Sequence, residues 1–233
     1  MALVLVLGAW EWCRLIGLTE LKLQAVYIVG MLLTALIVQF LPSIIIYALA
    51  SLWWFFALVL VLQFPGSQGL WENHMPIKIA IGFALLVPTW LGIVELQGQN
   101  VWNLVLVFIL IWSADSGAYF AGRKFGNKKL APEVSPGKSI EGVIGGLLLA
   151  LAVALVFQNW TDLKGLGFLQ SLILFVAVVL FSVLGDLTES MFKRASGVKD
   201  SSQLLPGHGG ILDRIDSLTS AVPIYFTFYW LLS

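Results

Sequence analysis

The sequence predicts an all-α fold, a polytopic transmembrane helical bundle of about eight segments. Of its 233 residues, 59% are hydrophobic and only 11% are charged, and the mean hydropathy is +0.94. Soluble domains carry about 25% charged residues. The apolar runs recur at lengths close to the roughly 20 residues that a helix needs to cross a bilayer. We therefore expect a single integral-membrane domain over residues 1–233.

Eight apolar segments follow one another along the chain. The first is the weakest, because Glu11 and Arg14 interrupt it, and it lacks the basic start and the cleavage site of a signal peptide. A tight turn at residues 41–43 separates the second segment from the third. The predicted segments are 2–18, 23–41, 43–64, 76–97, 101–121, 139–159, 166–188 and 217–232.

Basic residues concentrate in two of the predicted loops and indicate the orientation of the chain. Two segments separate these loops, so both face the same side, which the positive-inside rule identifies as the cytoplasm. Counting back from them puts residue 1 outside, and we therefore expect a further helix ahead of this sequence. The basic residues are Arg123, Lys124, Lys128, Lys129 and Lys138 in one loop, and Lys193, Arg194, Lys199 and Arg214 in the other.

Acidic residues inside the apolar segments are the first sign of chemistry. A carboxylate is expensive to bury in a membrane and by default marks a functional site. Asp115, Asp186 and Glu189 lie at the cytoplasmic ends of their segments, and the last two are three residues apart, so they share a helical face. Glu95 and Glu141 are the other acids of this kind, and Glu95 is interpreted as facing lipid headgroups.

The stretch 190–216 mixes basic, acidic and glycine residues densely. Basic groups neutralise phosphate oxygens, and arginine grips them with two N–H groups at once. Carboxylates hold Mg²⁺, which prefers one or two of them together with substrate phosphates. The glycines at 207, 209 and 210 let backbone N–H groups approach a phosphate closely. The alternative is a solvated loop, which does not account for Asp186 at its membrane edge.

Two further clusters lie earlier in the chain. Ser135 or Ser139 is predicted to cap the next helix, whose N-terminus attracts anions, with Lys138 between them. The spacing is not that of a P-loop, and topogenic charge alone is the alternative for this loop. The glycines at 142 and 146 indicate helix packing, as do the small residues of 115–122.

Residues 190–216 resemble the bacterial phosphatidate cytidylyltransferases, or CDP-diacylglycerol synthases. The family pattern is Ser-x-apolar-Lys-Arg-x₄-Lys-Asp-x-small-x₂-apolar-Pro-x-His-Gly-Gly-apolar-x-Asp-Arg-apolar-Asp, and this chain matches every defined position. The similarity also covers residues 9–12, 115–122, 135–142 and 185–187, although Ser139 stands where threonine is common. The family usually carries an additional leading helix, which agrees with the orientation argument.

The resemblance implies that CTP and phosphatidic acid react to CDP-diacylglycerol and pyrophosphate, as a step of phospholipid biosynthesis. It implies Mg²⁺, held by Asp186 and Asp213, and leaves a second cation open. His208 is expected to donate to a phosphate oxygen. The implied catalytic residues are Asp186, Lys193, Arg194, Lys199, His208, Asp213, Arg214 and Asp216. The implied substrate-binding residues are Asp115, Ser135, Lys138, Ser139, Gly209 and Gly210.

On this interpretation residues 1–97 are mainly a membrane scaffold, and residues 101–233 form the catalytic part. The expected location is the bacterial cytoplasmic (inner) membrane, with the site on the cytoplasmic side. The expected partners are CTP, phosphatidic acid and membrane lipid, with a homodimer left open, and the zero net charge gives no attraction toward nucleic acid.

Two other functions remain as alternatives. A CTP-dependent lipid-alcohol kinase would transfer the γ-phosphoryl group and release CDP. A secondary transporter is disfavoured, because no internal repeat is visible and the charges gather at one membrane edge. The CDP-alcohol phosphotransferases are disfavoured because their Asp-Gly-x₂-Ala-Arg run is missing.

Overall fold

A computed structural model describes residues 2–161, 163 and 165–233, and eight α-helices make up most of this part of the chain. Each of the eight predicted segments is confirmed as a helix, with ends that differ by a few residues. The helices are α1 (Ala2–Leu15), α2 (Leu21–Val38), α3 (Ser43–Leu62), α4 (Met75–Gln99), α5 (Val101–Phe125), α6 (Ile140–Phe157), α7 (Phe168–Ala195) and α8 (Leu212–Leu232).

Six of these helices, α2 to α7, are long and apolar enough to cross a membrane. Their outer faces expose large apolar side chains such as Leu36, Leu52 and Leu148. Soluble proteins rarely leave apolar surface so continuous, whereas lipid covers it without cost. The protein is therefore a multi-pass membrane protein, and the polytopic all-α prediction is confirmed. The leading helix ahead of residue 1 stays a prediction.

Helix α8 is the central element of the bundle. It packs against α1, α3, α4, α5 and α7, and its residues from Ser217 to Phe226 are all buried. Polar contacts fix its position along the neighbouring helices. The hydroxyls of Ser51 and Thr227 are 2.8 Å apart, and the hydroxyl of Thr89 donates to the carbonyl of Thr219 at 3.1 Å. The N-terminus of α8 is therefore set by the whole bundle.

Helices α5 and α6 pack against each other through small residues. A Cβ atom added at Gly117 would lie 2.8 Å from the carbonyl oxygen of Gly145. Added at Gly146, it would collide with the carbonyl oxygen of Ala114. The helix-packing interpretation of the glycines at 142 and 146 is confirmed.

Three local features differ from the sequence-based expectations. An antiparallel hairpin joins β1 (Lys129–Ala131) to β2 (Ser135–Ser139) between α5 and α6, in a chain expected to be purely helical. Helix α7 continues to Ala195 and α8 begins at Leu212, so the expectation of a loop over both charged runs was wrong. The predicted segments covered only the apolar part of each helix. The backbone stays helical through the charged residues at the end of α7 and at the start of α8.

One end of the bundle, which we call the site end, gathers the helix ends that carry charge. It comprises the C-terminal ends of α1, α5 and α7, the N-terminal ends of α2, α4, α6 and α8, and the hairpin. Three hydrogen bonds connect its elements. Ser196 Oγ, just after α7, donates to the carbonyl of Leu15 at the end of α1 at 2.6 Å, and Arg194 Nε donates to the carbonyl of Val134 in the hairpin at 3.2 Å. Lys78 Nζ on α4 donates to the carbonyl of Ile16 at 3.0 Å.

Candidate active site

Two lysines at the site end form three ion pairs with carboxylates. Asp186, Glu189 and Lys193 share one face of α7. Lys193 Nζ lies 2.6 Å from Asp213 Oδ1 and 3.3 Å from Glu189 Oε2. Lys138, at the end of the hairpin, places its Nζ 2.6 Å from Asp186 Oδ2. These pairs connect the hairpin, α7 and α8, and they bring together three of the predicted catalytic residues with Lys138.

Asp213 lies in the first turn of α8, ahead of the apolar stretch that starts at residue 217. Its Oδ2 accepts hydrogen bonds from the N–H groups of Ser201 and Gly210 at 2.9 and 2.7 Å, and from the Ser201 hydroxyl at 2.8 Å. Burial acts to raise the pKa of this carboxyl, but its hydrogen bonds, first of all that from Lys193, outweigh burial and hold the pKa below its ordinary value. Asp213 therefore stays ionised and anchors the loop before α8.

Gly209 and Gly210 fit against carboxylates in this loop. Gly209 has a φ of +79°, and a Cβ atom there would lie 2.8 Å from Asp213 Oδ2. A Cβ atom at Gly210 would lie 2.5 Å from Glu11 Oε1. The N–H group of Gly210 already donates to Asp213. Contact of these glycines with substrate stays a prediction.

Glu189 and Asp216 add two more carboxylates. The Glu189 side chain is 5% exposed, and neither oxygen has a hydrogen-bond donor among the described residues, although the Lys193 ammonium lies 3.3 Å away. Asp216 Oδ1 accepts from the N–H group of Ser217 at 2.5 Å. A Cβ atom at Gly185 would lie 2.5 Å from the carbonyl oxygen of Asp216, so only glycine allows α7 and α8 to approach this closely. That approach brings the acids of the two helices together.

Asp115 completes the group from a third helix. It lines a cavity of about 220 Å³ between α5, α6 and α7, together with Lys138 and Ser139. The prediction that one of the two serines caps α6 is confirmed for Ser139, whose Oγ accepts from the N–H group of Gly142 at 3.2 Å. Ser135 is the first residue of β2.

The resulting cluster, which we call the acidic cluster, has more carboxylates than ammonium groups. Excess negative charge of this kind fits a divalent cation. No group of three or more His, Cys, Asp or Glu side chains within the described residues converges closely enough to form a metal site alone. Mg²⁺ needs only one or two carboxylates when water and substrate phosphates complete its shell. The cluster consists of Asp115, Asp186, Glu189, Asp213 and Asp216 with Lys138 and Lys193.

The remaining predicted residues lie around this cluster. Arg194 donates from Nε to the hairpin. Arg214 donates from Nε and one Nη to the carbonyl of His208, at 3.0 and 2.5 Å. The ring of His208 is exposed, with Nδ1 3.2 Å from the carbonyl of Pro206. Lys199 lines a separate polar cavity of about 700 Å³ that also contains Arg14.

Glu11 is the residue at this end to which sequence reasoning gave no role. It is fully buried, and it accepts hydrogen bonds from the N–H groups of Ile211 and Leu212, at 3.0 and 2.6 Å, and from the hydroxyl of Ser202 at 2.5 Å. The hydroxyl of Ser201 lies between Glu11 and Asp213, 3.2 Å from the first and 2.8 Å from the second.

The Glu11 carboxylate therefore caps the N-terminus of α8 from another helix, where the helix dipole favours a negative charge. The sequence did contain a sign that Glu11 has a role, because it is an acid inside an apolar segment. Glu11 was interpreted only as an interruption of the first apolar segment. The division into a scaffold over 1–97 and a catalytic part stays a prediction, but Glu11 brings one side chain of the first part into the site end.

Comparison with known proteins identifies the family to which this chain belongs. Residues 1–232 match the model of the cytidylyltransferase family. The chain belongs to the cytidylyltransferase family. Among its relatives, a protein of Haemophilus influenzae is 45% identical over 253 aligned residues, covering 97% of this chain and 87% of that protein. A protein of Pseudomonas aeruginosa is 46% identical over 231 residues, covering 97% of this chain and 85% of the relative.

Both relatives are named phosphatidate cytidylyltransferase, as is a Bacillus subtilis protein that is 41% identical over 155 residues, 63% of this chain and 57% of that protein. The resemblance carried by residues 190–216 is therefore confirmed, and this cytidylyltransferase is a nucleotidyltransferase enzyme. The individual roles given to its site residues stay predictions.

Proposed function

We propose that this cytidylyltransferase transfers the cytidylyl group of CTP to phosphatidate and forms CDP-diacylglycerol and pyrophosphate. The observation that carries the proposal is the acidic cluster at one end of a membrane-embedded bundle. One substrate is soluble in water and the other is a lipid, so the two meet only at a membrane edge. The family match and the relatives' names support the same reaction.

In this reaction a phosphate oxygen of phosphatidate attacks the α-phosphorus of CTP. The bond from that phosphorus to the oxygen bridging to the β-phosphorus breaks, and pyrophosphate leaves with the electron pair. The nucleophile is already an anion, so no strong general base is needed. The difficulty is repulsion between the two anionic substrates and charge on the leaving group. Cations positioned in advance address both, and we assign this role to Lys193, Arg194 and Arg214, with Lys138 helping to bind a substrate phosphate.

We propose Asp186 and Asp213 as the residues that hold Mg²⁺. The cation would neutralise phosphate charge and stabilise the leaving pyrophosphate. Asp186 fits this role well, because the partners of its oxygens within the described residues are two mobile side chains, Lys138 at 2.6 Å and the Ser190 hydroxyl at 3.2 Å. With a cation on these carboxylates, the ammonium groups of Lys138 and Lys193, which now contact Asp186 and Asp213, would be free to contact phosphate oxygens.

We also propose that the site end faces the cytoplasm of a bacterial inner membrane. All lysines and arginines in the described part of the chain belong to helix ends and turns at this end, which fits the positive-inside rule. A cysteine at the exposed Asn127 should react with an impermeant reagent only from the cytoplasmic side, and one at the exposed Gln99 only from the other side. The reverse pattern would overturn the orientation. A homodimer stays a prediction.

The reaction is tested by following two labels in parallel. Purified protein is incubated with phosphatidate, Mg²⁺ and CTP that carries ³²P at either the α or the γ position. The α label should enter the lipid product and the γ label should appear in pyrophosphate. Transfer of the γ label to lipid with release of CDP would identify a lipid kinase. No incorporation of either label would overturn the proposal.

A further inference from the structure

An apolar groove of about 410 Å³ lies between α1, α4, α5 and α8. We call it the α4–α5 groove. Along α4 it extends from Leu86 to Gln97, and along α5 it is lined by Val101, Leu104 and Phe108. Eleven residues of helix correspond to about 16 Å, so the groove is long and narrow. Its shape suits a hydrocarbon chain.

The groove begins at the site end and runs away from it. Its lining on α8 consists of Arg214, Ile215 and Leu218, within two turns of the helix N-terminus that Glu11 caps. Its lining on α5 begins at Val101, the first residue of that helix, at the opposite end of the bundle. A chain lying in the groove would therefore extend from the acidic cluster into the membrane.

Arg214 is the charged residue among those that line the groove. It is exposed, and it is adjacent in sequence to Asp213. A guanidinium has five N–H groups, and the contacts of Arg214 with the carbonyl of His208 use only its Nε and one Nη. The other N–H groups suit a phosphate at the mouth of the groove.

We propose that the α4–α5 groove binds an acyl chain of phosphatidate while Arg214 contacts the phosphate of the same molecule. This inference rests on the proposed function. Membrane lipid is as apolar as the groove lining, so burial of the chain gives little selectivity. Selection among lipids therefore comes from the pairing of Arg214 with a phosphate, and the groove sets the direction from which that phosphate approaches Asp213.

A second apolar groove provides a matched comparison. It has a volume of about 330 Å³, lies between α3, α6, α7 and strand β1 of the hairpin, and is lined by residues such as Leu58, Val143 and Leu180. Its lining has no charged residue. It therefore offers a hydrocarbon chain the same surroundings without a partner for the phosphate.

The test places the same bulky residue in each groove. Leu104→Trp fills the α4–α5 groove and Leu180→Trp fills the second groove. We expect Leu104→Trp to raise the KM for long-chain phosphatidate about tenfold, which corresponds to about 1.4 kcal/mol. Its KM for CTP and its turnover of dihexanoyl phosphatidate should stay at the wild-type values. Leu180→Trp should match the wild type with both lipids.

A second variant keeps the test decisive if Leu104→Trp does not fold. Val101 is 50% exposed at the far end of the groove, so Val101→Trp leaves the core intact and shortens the groove. It should shift the preference toward phosphatidates with shorter chains. Wild-type chain-length profiles for the α4–α5 variants, or an equal effect of Leu180→Trp, would overturn the groove assignment. Failure of the wild type to form CDP-diacylglycerol would instead overturn the proposed function.

Discussion

Glu11 and the acidic cluster lie at the same end of the bundle, but their carboxylates are satisfied in different ways. Glu11 is fully buried and accepts a hydroxyl and two backbone N–H groups, and the N–H groups are fixed in place by the start of α8. Asp186, by contrast, faces the flexible ammonium group of Lys138, and its side chain is 30% exposed. Glu11 is therefore a carboxylate that stabilises the structure, whereas Asp186 is one that can exchange its lysine partner for a metal cation.

The largest effect is expected from Asp186→Asn. Asparagine keeps the size of the side chain but removes the charge that a hard cation requires. Turnover of CTP should fall by roughly 10²-fold or more, the size of effect seen when a preorganised electrostatic group is removed. Purified variant protein is assayed for CDP-diacylglycerol formation and for thermal melting.

The matched control for Asp186→Asn is Glu72→Gln, which neutralises an exposed acid near the start of α4. It should retain wild-type turnover. A well-folded Asp186→Asn protein with turnover near that of Glu72→Gln would remove Asp186 from the chemistry.

Glu11→Gln should act on stability first. The amide nitrogen of glutamine would face N–H groups or a hydroxyl where the carboxylate oxygens accept hydrogen bonds, and the charge at the start of α8 would be lost. A buried donor without an acceptor costs about 1–3 kcal/mol. The melting temperature in detergent should fall, whereas Glu20→Gln, an exposed glutamate at the start of α2, should melt like the wild type.

Turnover per folded molecule should fall less in Glu11→Gln than in Asp186→Asn. If Glu11→Gln melted like the wild type and yet lost turnover about 10²-fold, Glu11 would be a catalytic carboxylate like Asp186. The contrast between a structural Glu11 and a catalytic Asp186 would then be wrong.

Lys138→Ala is expected to have the smallest effect. Lys138 is about a quarter exposed, so its charge is partly screened by solvent. If it helps to bind phosphate, its loss raises the KM for CTP, by about tenfold, with little change in kcat. Lys129→Ala in the same hairpin is the control, because that side chain is exposed. A drop in kcat without a change in KM would show that Lys138 acts in the transition state.

The sequence predicted the parts of this protein that depend on local pattern. Apolar runs located the eight α-helices of the described residues, six of which are long enough to cross a membrane, and the pattern over 190–216 identified the family. The contacts between Lys193 and Asp213, or between Glu11 and Leu212, join residues that are far apart in the chain, so no spacing rule could reveal them.

The continuation of α7 to Ala195 was missed for a related reason. Its last turns carry polar and charged side chains that face the site rather than lipid, so the drop in hydropathy marks the edge of the membrane and not the end of the helix. The hairpin over 129–139 contains lysine, proline and glycine and shows no alternation of apolar and polar residues that would predict strands.

The measurement that tests the central claim most directly is the change in melting temperature on addition of Mg²⁺ and CTP. A ligand that binds only the folded protein raises this temperature. The account predicts a clear rise for the wild type, a similar rise from a lower starting point for Glu11→Gln, and almost none for Asp186→Asn. A rise in Asp186→Asn equal to that of the wild type would contradict the claim that the acidic cluster holds the nucleotide through a metal.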